Sequence, residues 1–313
     1  MKIVFLDAKT IGEDIDLSGF DALGEVVKYG FSTEQEARER SKDADVLILN
    51  KVQVNEQTIG EADHLKLVCV TATGTNNLDK EYLDKRGIAW RNVAGYSTES
   101  VAQHTFAMLF YLLEKLPYYD NYVKSEKYVN DVSFTHFAKA FHELSGMTYG
   151  IIGLGNIGRR VADIAKAFGC RVIYYSTSGR NSQPGYERVS FDELLEQSDI
   201  VSIHAPLDEN TLGLMNKEAF AKMKKSAILL NVGRGPIINE ADLAEALNNK
   251  TIASAGLDVL SVEPMQEDNP LRGIKDSERL LITPHIAWAG VEARNRLMGI
   301  ILGQIKEFFK AHE

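Results

Sequence analysis

Cysteine is nearly absent: Cys69 and Cys170 are the only two in 313 residues, and each sits inside an apolar run. Both are expected to be small buried side chains rather than a disulfide or a metal pair, and they suggest a reducing compartment. Basic residues are also scarce, 35 Lys and Arg against 44 Asp and Glu, for a formal net charge of −9. A general nucleic-acid binder needs a clustered basic surface to displace counterions from phosphates, so that class is disfavoured. An anionic substrate would therefore need individually placed Arg or Lys side chains. No apolar run approaches the ~18 residues of a membrane span. Asp7 interrupts the opening MKIVFLD before a secretory core can form. A cytoplasmic protein away from the membrane is the expectation.

What the chain does have is Val- and Ile-rich short runs alternating with amphipathic segments of helical length, the pattern of parallel strands joined by crossover helices. The fold class is α/β. Strands are expected at 3–6, 46–49, 67–71 and 89–92, with Ser32-Thr33-Glu34-Gln35 as a capping box for an intervening helix. A second series is expected at 147–152, 170–175, 200–204, 227–231, 253–257 and 280–283. Between the two series, residues 99–116 carry Val101, Thr105, Met108, Leu109, Leu112 and Leu113 at helical spacing, and Pro117 lies just beyond to discourage continuation. This helix is expected to link two domains. A last helix at 291–309 can return the chain to the first domain. The expected division is residues 1–98 plus 286–313 for one domain and 99–285 for the other.

Gly153-Leu154-Gly155-Asn156-Ile157-Gly158 follows an expected strand directly and opens an expected helix at 159–168. In that setting Gly153 permits the tight turn, Gly155 lets the backbone approach a pyrophosphate, and Gly158 allows close helix packing. The helix N-terminus then presents free N–H groups to the anion. The strand after it ends in Ser176-Thr177-Ser178-Gly179-Arg180, with no acid to accept hydrogen bonds from the adenosine ribose. Ser176, Thr177, Ser178 and Arg180 either surround a 2′-phosphate or form a plain polar turn.

Three later loops each follow a strand and each hold a group suited to reducing a carbonyl beside a carboxylate. Arg234, in Asn231-Val232-Gly233-Arg234-Gly235, offers a planar guanidinium for a carboxylate. Glu263 precedes Pro264, and His285 follows Thr283-Pro284. Loops at the carboxyl ends of parallel strands line the ligand crevice, so these three can converge in spite of their separation in sequence. His285 can donate a proton to a carbonyl oxygen, and Glu263 can orient the imidazole. His136 and His142 have no Cys or acid at ligand spacing, so no metal is expected. Tyr118, Tyr119, Tyr122 and Tyr128 are expected to pack beside the linking helix, and His104 is read as a helix residue.

GLGNIG at 153–158, HAPL at 204–207, NVGRG at 231–235, GLDV at 256–259, EP at 263–264 and TPHIAW at 283–288 together resemble the D-isomer-specific 2-hydroxyacid dehydrogenase family over essentially the whole chain. The resemblance implies two doubly wound parallel-sheet domains around a cleft, a flavodoxin-like substrate domain and a Rossmann cofactor domain, which close over the substrate. It implies that Arg234 binds and polarises the substrate, that His285 is the acid/base with Glu263 as its partner, and that Asp258 contacts the nicotinamide. It maps a carboxylate-binding loop onto Ala72-Thr73-Gly74 and a hinge onto Gly95 to Thr98, with Gln103 where many members have Glu. Cofactor contacts are expected from Thr98, Asn156, Ile157, His204, Ala205, Pro206, Thr211, Val232 and Gly233 besides the glycines and the Ser176 turn. The cofactor is NADP or NAD, with a lean to NADP and dual use open, and a homodimer is implied. Trp288 resembles the glycerate dehydrogenase and hydroxypyruvate reductase branch and would restrict the substrate side chain, which points to hydroxypyruvate or glyoxylate. The rival readings are a dinucleotide-sensing, corepressor-like interaction protein and a formate or phosphite oxidiser of the same fold.

Overall fold

Val46–Leu49 and Leu67–Val70 are apolar and buried at every position, as strands covered on both faces must be. They form the centre of the first of two parallel sheets in the computed structural model, which describes residues 1–180 and 182–311; positions 312 and 313 of the expected tail lie outside the described residues. The chain divides into two compact units, Met1–Ser97 with the segment from Ala289 onward, and Thr98–Trp288.

In the first unit, β1 (Lys2–Phe5), β2 (Glu25–Lys28), β3 (Val46–Leu49), β4 (Leu67–Val70) and β5 (Ala89–Arg91) pair in the order β2-β1-β3-β4-β5. Every pairing is parallel. Helices α1 (Glu34–Ser41), α2 (Glu56–Ile59) and α3 (Lys80–Arg86) accompany them, with a C-terminal helix at Val291–Lys310. Strand β2 is absent from the sequence expectation because it is an edge strand, Glu-Val-Val-Lys, with no buried residue to create an apolar run. The capping box is displaced by one position: Thr33 is the N-cap and Glu36 closes the box, while Ser32 Oγ donates to the Leu6 carbonyl instead.

The second unit carries β6 (Thr148–Ile152), β7 (Arg171–Tyr175), β8 (Glu187–Arg188), β9 (Ile200–Ile203), β10 (Ile228–Asn231), β11 (Ser254–Leu257) and β12 (Leu280–Ile282), in the order β12-β11-β10-β9-β6-β7-β8. These pairings are parallel too. Its helices are α4 (Thr98–Leu113), α5 (Leu116–Lys124), α6 (Asn156–Ala167), α7 (Phe191–Gln197), α8 (Lys217–Lys222) and α9 (Glu240–Asn248). The two-residue period of the strands separates two cores. Val201 and Ile203 of β9, with Leu229 of β10, join one core, while Ile200 and Leu230 join the other with Tyr149 and Ile151 of β6. The strand order reverses between β6 and β9, and doubly wound sheets bind ligands at such a switch point, outside the carboxyl ends of the strands.

The helix expected at 99–116 ends earlier, at Leu113, and packs within the second unit against α6, β10 and β11. Pro117 does not terminate it. Lys115 turns the chain in the left-handed region at φ 55°, and Pro117 sits in the first turn of α5, where a missing N–H costs nothing. Tyr118, Tyr119 and Tyr122 of α5 pack with His136 in one aromatic cluster, Tyr122 and His136 stacking with ring centroids 3.7 Å apart.

Candidate active site

The glycine turn lies at the switch point, between β6 and α6. Gly153 has φ +91° and lies so close to Ala205 that an added Cβ would fall 2.8 Å from the Ala205 Cα. At Gly158 an added Cβ would come within 2.2 Å of the Gly153 carbonyl oxygen. Gly155 is different, because a Cβ there meets nothing within 4 Å. This glycine is exposed and is the N-cap of α6, a helix of 12 residues with no side-chain cap on its first N–H groups. An open cradle over uncapped donors fits a dinucleotide pyrophosphate. Asn156 beside it is exposed and Ile157 half-buried.

Several of the residues expected to contact the cofactor are buried within the protein. Ser176 is only 3 % exposed, so the open part of the turn after β7 is Ser178 to Arg180, with Thr177 half-buried. Thr211 is completely buried, and its hydroxyl donates to the Pro206 carbonyl while accepting from the Asp208 N–H. It therefore ties the 206–211 loop together. Ala205 is buried against Gly153, whereas Pro206 is exposed. His204 Nε2 lies 2.9 Å from Ser202 Oγ, and its Nδ1 is sealed from solvent with no hydrogen-bond partner. Burial pushes this imidazole's pKa down to about 3, so the ring is neutral.

The loop after β10 is built by Asn231, a fully buried side chain whose Nδ2 donates to the Arg234 carbonyl and whose Oδ1 accepts from the Gly233 N–H. Arg234 is half-buried, and its Nη1 donates to the Gly233 carbonyl at 2.8 Å. Val232 and Gly233 are half-buried beside it. The next residue, Gly235, packs directly on Leu260 and Ser261 of the loop after β11. The Leu260 N–H donates to Glu263 Oε1, and Glu263 Oε2 lies 2.7 Å from His285 Nδ1. An unbroken set of contacts thus joins the Arg234 loop to His285.

His285 itself sits in the left-handed region at φ 56°, a conformation costing a non-glycine residue roughly 1–2 kcal/mol. The clamp that holds it there is Asp258, a carboxylate 2 % exposed at the end of β11. Its Oδ1 accepts from the Ile286 N–H at 2.9 Å, its Oδ2 from the Ala287 N–H at 2.8 Å, and its backbone carbonyl from the His285 N–H at 2.8 Å. The expectation gave Asp258 only a cofactor contact. The bonds it makes within the protein show a buried residue that shapes the turn carrying His285. Gly235 and Thr283, to which the motifs that contain them assign no role, are two further residues of this arrangement. The Thr283 hydroxyl donates to Asp258 Oδ1 at 2.6 Å, and the available signal was a hydroxyl one residue past a strand end in the same segment as His285. Trp288 is half-buried at the end of this segment. In the first unit, the Ala72-Thr73-Gly74 loop follows β4, with the Thr73 hydroxyl donating to the Val93 carbonyl and the Thr73 carbonyl accepting from Asn92 Nδ2.

Residues 106–287 match the family described as D-isomer specific 2-hydroxyacid dehydrogenase, NAD binding domain. A hydroxypyruvate reductase of Blautia hydrogenotrophica is 38% identical over 319 residues, spanning 99% of this chain and 97% of its own. A glycerate dehydrogenase of Methylorubrum extorquens is 33% identical over 308 residues, 98% of this chain and 96% of its own. Among solved structures, an acyclic imino acid reductase in complex with NADPH and D-Arg superposes with a TM-score of 0.86 at 28% identity, covering 99% of this chain and 98% of that one. The chain belongs to the D-isomer specific 2-hydroxyacid dehydrogenase family, enzymes that link the interconversion of 2-oxo and 2-hydroxy acids to NAD(P).

Proposed function

We propose that this enzyme reduces hydroxypyruvate or glyoxylate, and oxidises the matching hydroxy acids, with Arg234, Glu263 and His285 at the reacting carbon. The observation that carries the reading is the 2.7 Å contact between His285 Nδ1 and Glu263 Oε2. A carboxylate at Nδ1 holds a proton on that nitrogen and fixes the ring, leaving Nε2 as the acid/base atom. In reduction Nε2 gives its proton to the carbonyl oxygen at C2, and in oxidation it takes the hydroxyl proton. When bound, the reduced nicotinamide supplies the hydride. Arg234 is assigned to the substrate carboxylate and carbonyl: with the described residues its guanidinium bonds only through Nη1, so the rest of the planar fork is available for a paired contact.

NADP is the proposed cofactor, because the turn after β7 lacks a carboxylate to repel a 2′-phosphate and exposes Ser178 and Arg180. The same lack of repulsion leaves NAD accepted as well. The substrate assignment is supported by the half-buried Trp288, three residues beyond His285, and by the relatives named for hydroxypyruvate and glycerate. We further propose a cytoplasmic homodimer. Val132, Phe134 and Phe137 are 103%, 89% and 87% exposed, an apolar set that a partner copy would cover. Sedimentation as a monomer at micromolar concentration would contradict the dimer.

The enzymatic reading is tested by loss of NADPH or NADH absorbance with hydroxypyruvate, glyoxylate, pyruvate and phenylpyruvate in turn. Hydroxypyruvate or glyoxylate is expected to give the highest kcat/KM. Faster turnover of phenylpyruvate would reject the substrate assignment.

A further inference from the structure

His104 stands on α4, on a helix whose other inward positions, Val101, Ala102, Thr105, Phe106, Met108 and Leu109, are buried in the core. It is the imidazole at the margin of that face, with its side chain 20% exposed. Its Nε2 lies 3.0 Å from Thr283 Oγ1 and 3.5 Å from Asp258 Oδ1. The direction of these bonds follows from counting protons. A threonine hydroxyl has one, and it goes to Asp258 Oδ1 at 2.6 Å, because a carboxylate only accepts. The Thr283 oxygen must therefore accept at its lone pair, and the proton between it and His104 belongs to Nε2. His104 donates to Thr283, Thr283 donates to Asp258, and Asp258 holds the backbone of residues 285–287.

We propose that His104 is a positioning residue for the reaction: its Nε2–H orients the Thr283 hydroxyl toward Asp258, and through Asp258 it fixes the turn that aims His285. The proposal rests on His285 being the acid/base. Two independent features make the chain consequential. His285 occupies a left-handed backbone conformation that its own side chain does not favour, so the turn depends on outside hydrogen bonds. Asp258 is also nearly sealed from water, so a donor lost from its surroundings is not replaced by solvent. The imidazole reaches this network from a different segment, 179 residues away in sequence from Thr283, and so couples α4 to the catalytic turn.

The test compares His104→Leu, His104→Gln, Thr283→Val and the double variant His104→Leu/Thr283→Val, with His285→Ala as the reference for the site itself. Gln places an N–H donor near the position of Nε2, whereas Leu fills the space without one. His104→Leu is expected to lower kcat about tenfold, as befits loss of a bond that feeds a buried charged group. KM is expected to change less than twofold, as is cofactor affinity read by nicotinamide fluorescence. His104→Gln is expected to recover most of the lost kcat, and the double variant to be no worse than the poorer single one, since both break the same chain. If His285→Ala abolishes turnover while His104→Leu retains native kcat, the positioning role is wrong and the site reading stands. Losses in the two singles that multiply in the double, or a Gln variant as slow as Leu, also overturn it. Should His104→Leu fail to fold, Thr283→Val decides the matter: a roughly tenfold lower kcat beside a near-native His104→Gln supports the role, and a native kcat in Thr283→Val overturns it. A fully active His285→Ala would instead remove the reading on which the proposal rests.

Discussion

Gly235 and Leu260 lie in such close contact that a Cβ built on the glycine would come 1.9 Å from the Leu260 carbonyl carbon. Backbone against backbone at that range leaves room for no other residue, and it sets the Arg234 loop beside the loop that carries Glu263. Gly235→Ala must push the two loops apart. We expect a stability loss of about 1–3 kcal/mol from the forced shift. We also expect a fall in kcat/KM out of proportion to it, because displacement of about 1 Å at a reacting group costs on the order of 100-fold. Thermal unfolding and steady-state assays on one preparation check both, and a stable, fully active Gly235→Ala would show that the contact does not set the geometry.

Gly155 and Gly158 of the β6–α6 turn lead to opposite expectations. A methyl group at Gly155 meets nothing in the protein, whereas one at Gly158 falls 2.2 Å from the Gly153 carbonyl oxygen. Gly155→Ala is therefore expected to leave the melting temperature unchanged and to weaken NADPH binding, while Gly158→Ala lowers the melting temperature by several degrees. Calorimetry of each variant with and without NADPH separates the two. Undiminished NADPH affinity in Gly155→Ala would argue against a pyrophosphate at that position.

These contrasts show what could be read from the sequence. The β6–Gly153–α6 order and the buried parallel strands were legible because short continuous apolar runs and glycine spacing are local signals. Strand β2 was not, since an edge strand of two valines between charges looks like any polar segment. Pro117 is ambiguous because a proline that ends one helix and one that begins the next look alike in sequence; the left-handed Lys115 decides between them. At the candidate site, residue chemistry alone singles out Arg234, Glu263 and His285, whereas the burial of Ser176 and Thr211 is not visible in it. Burial depends on what packs over a turn, and no local pattern encodes that. The clamp by Asp258 was likewise hidden, because its partners lie more than 20 residues downstream.

His204 gives a prediction in pH. Burial lowers its pKa from 6.5 to about 3 in the folded protein. Below pH 6.5 the unfolded chain takes up a proton that the native ring refuses, so stability falls as pH falls through this window, by up to ~1.4 kcal/mol per pH unit. His204→Gln is expected to have a shallower decline between pH 6.5 and about pH 4.5, because its side chain does not titrate and all other acid groups are shared. Urea denaturation at several pH values measures both slopes. Parallel curves would show that His204 is not the group responsible.

Cofactor choice is predicted to hinge on Arg180, which is exposed in the turn after β7. Arg180→Ala should lower kcat/KM with NADPH by about tenfold and leave NADH nearly unaffected, as expected for loss of a charge-assisted bond to phosphate. Competing NADPH and NADH titrations of native and variant enzyme read the ratio. A native enzyme that strongly prefers NADH would overturn the assignment to NADP.

The proposed roles of His285 and Arg234 are tested most directly by single-turnover reduction of hydroxypyruvate and glyoxylate by native enzyme, His285→Ala and Arg234→Ala, with NADPH affinity measured on each. Both variants are expected to bind NADPH within about twofold of native and to lose about three orders of magnitude or more in kcat/KM, because both residues are assigned to the reacting carbonyl and not to the cofactor. Near-native turnover in either variant, with cofactor binding intact, would contradict these roles.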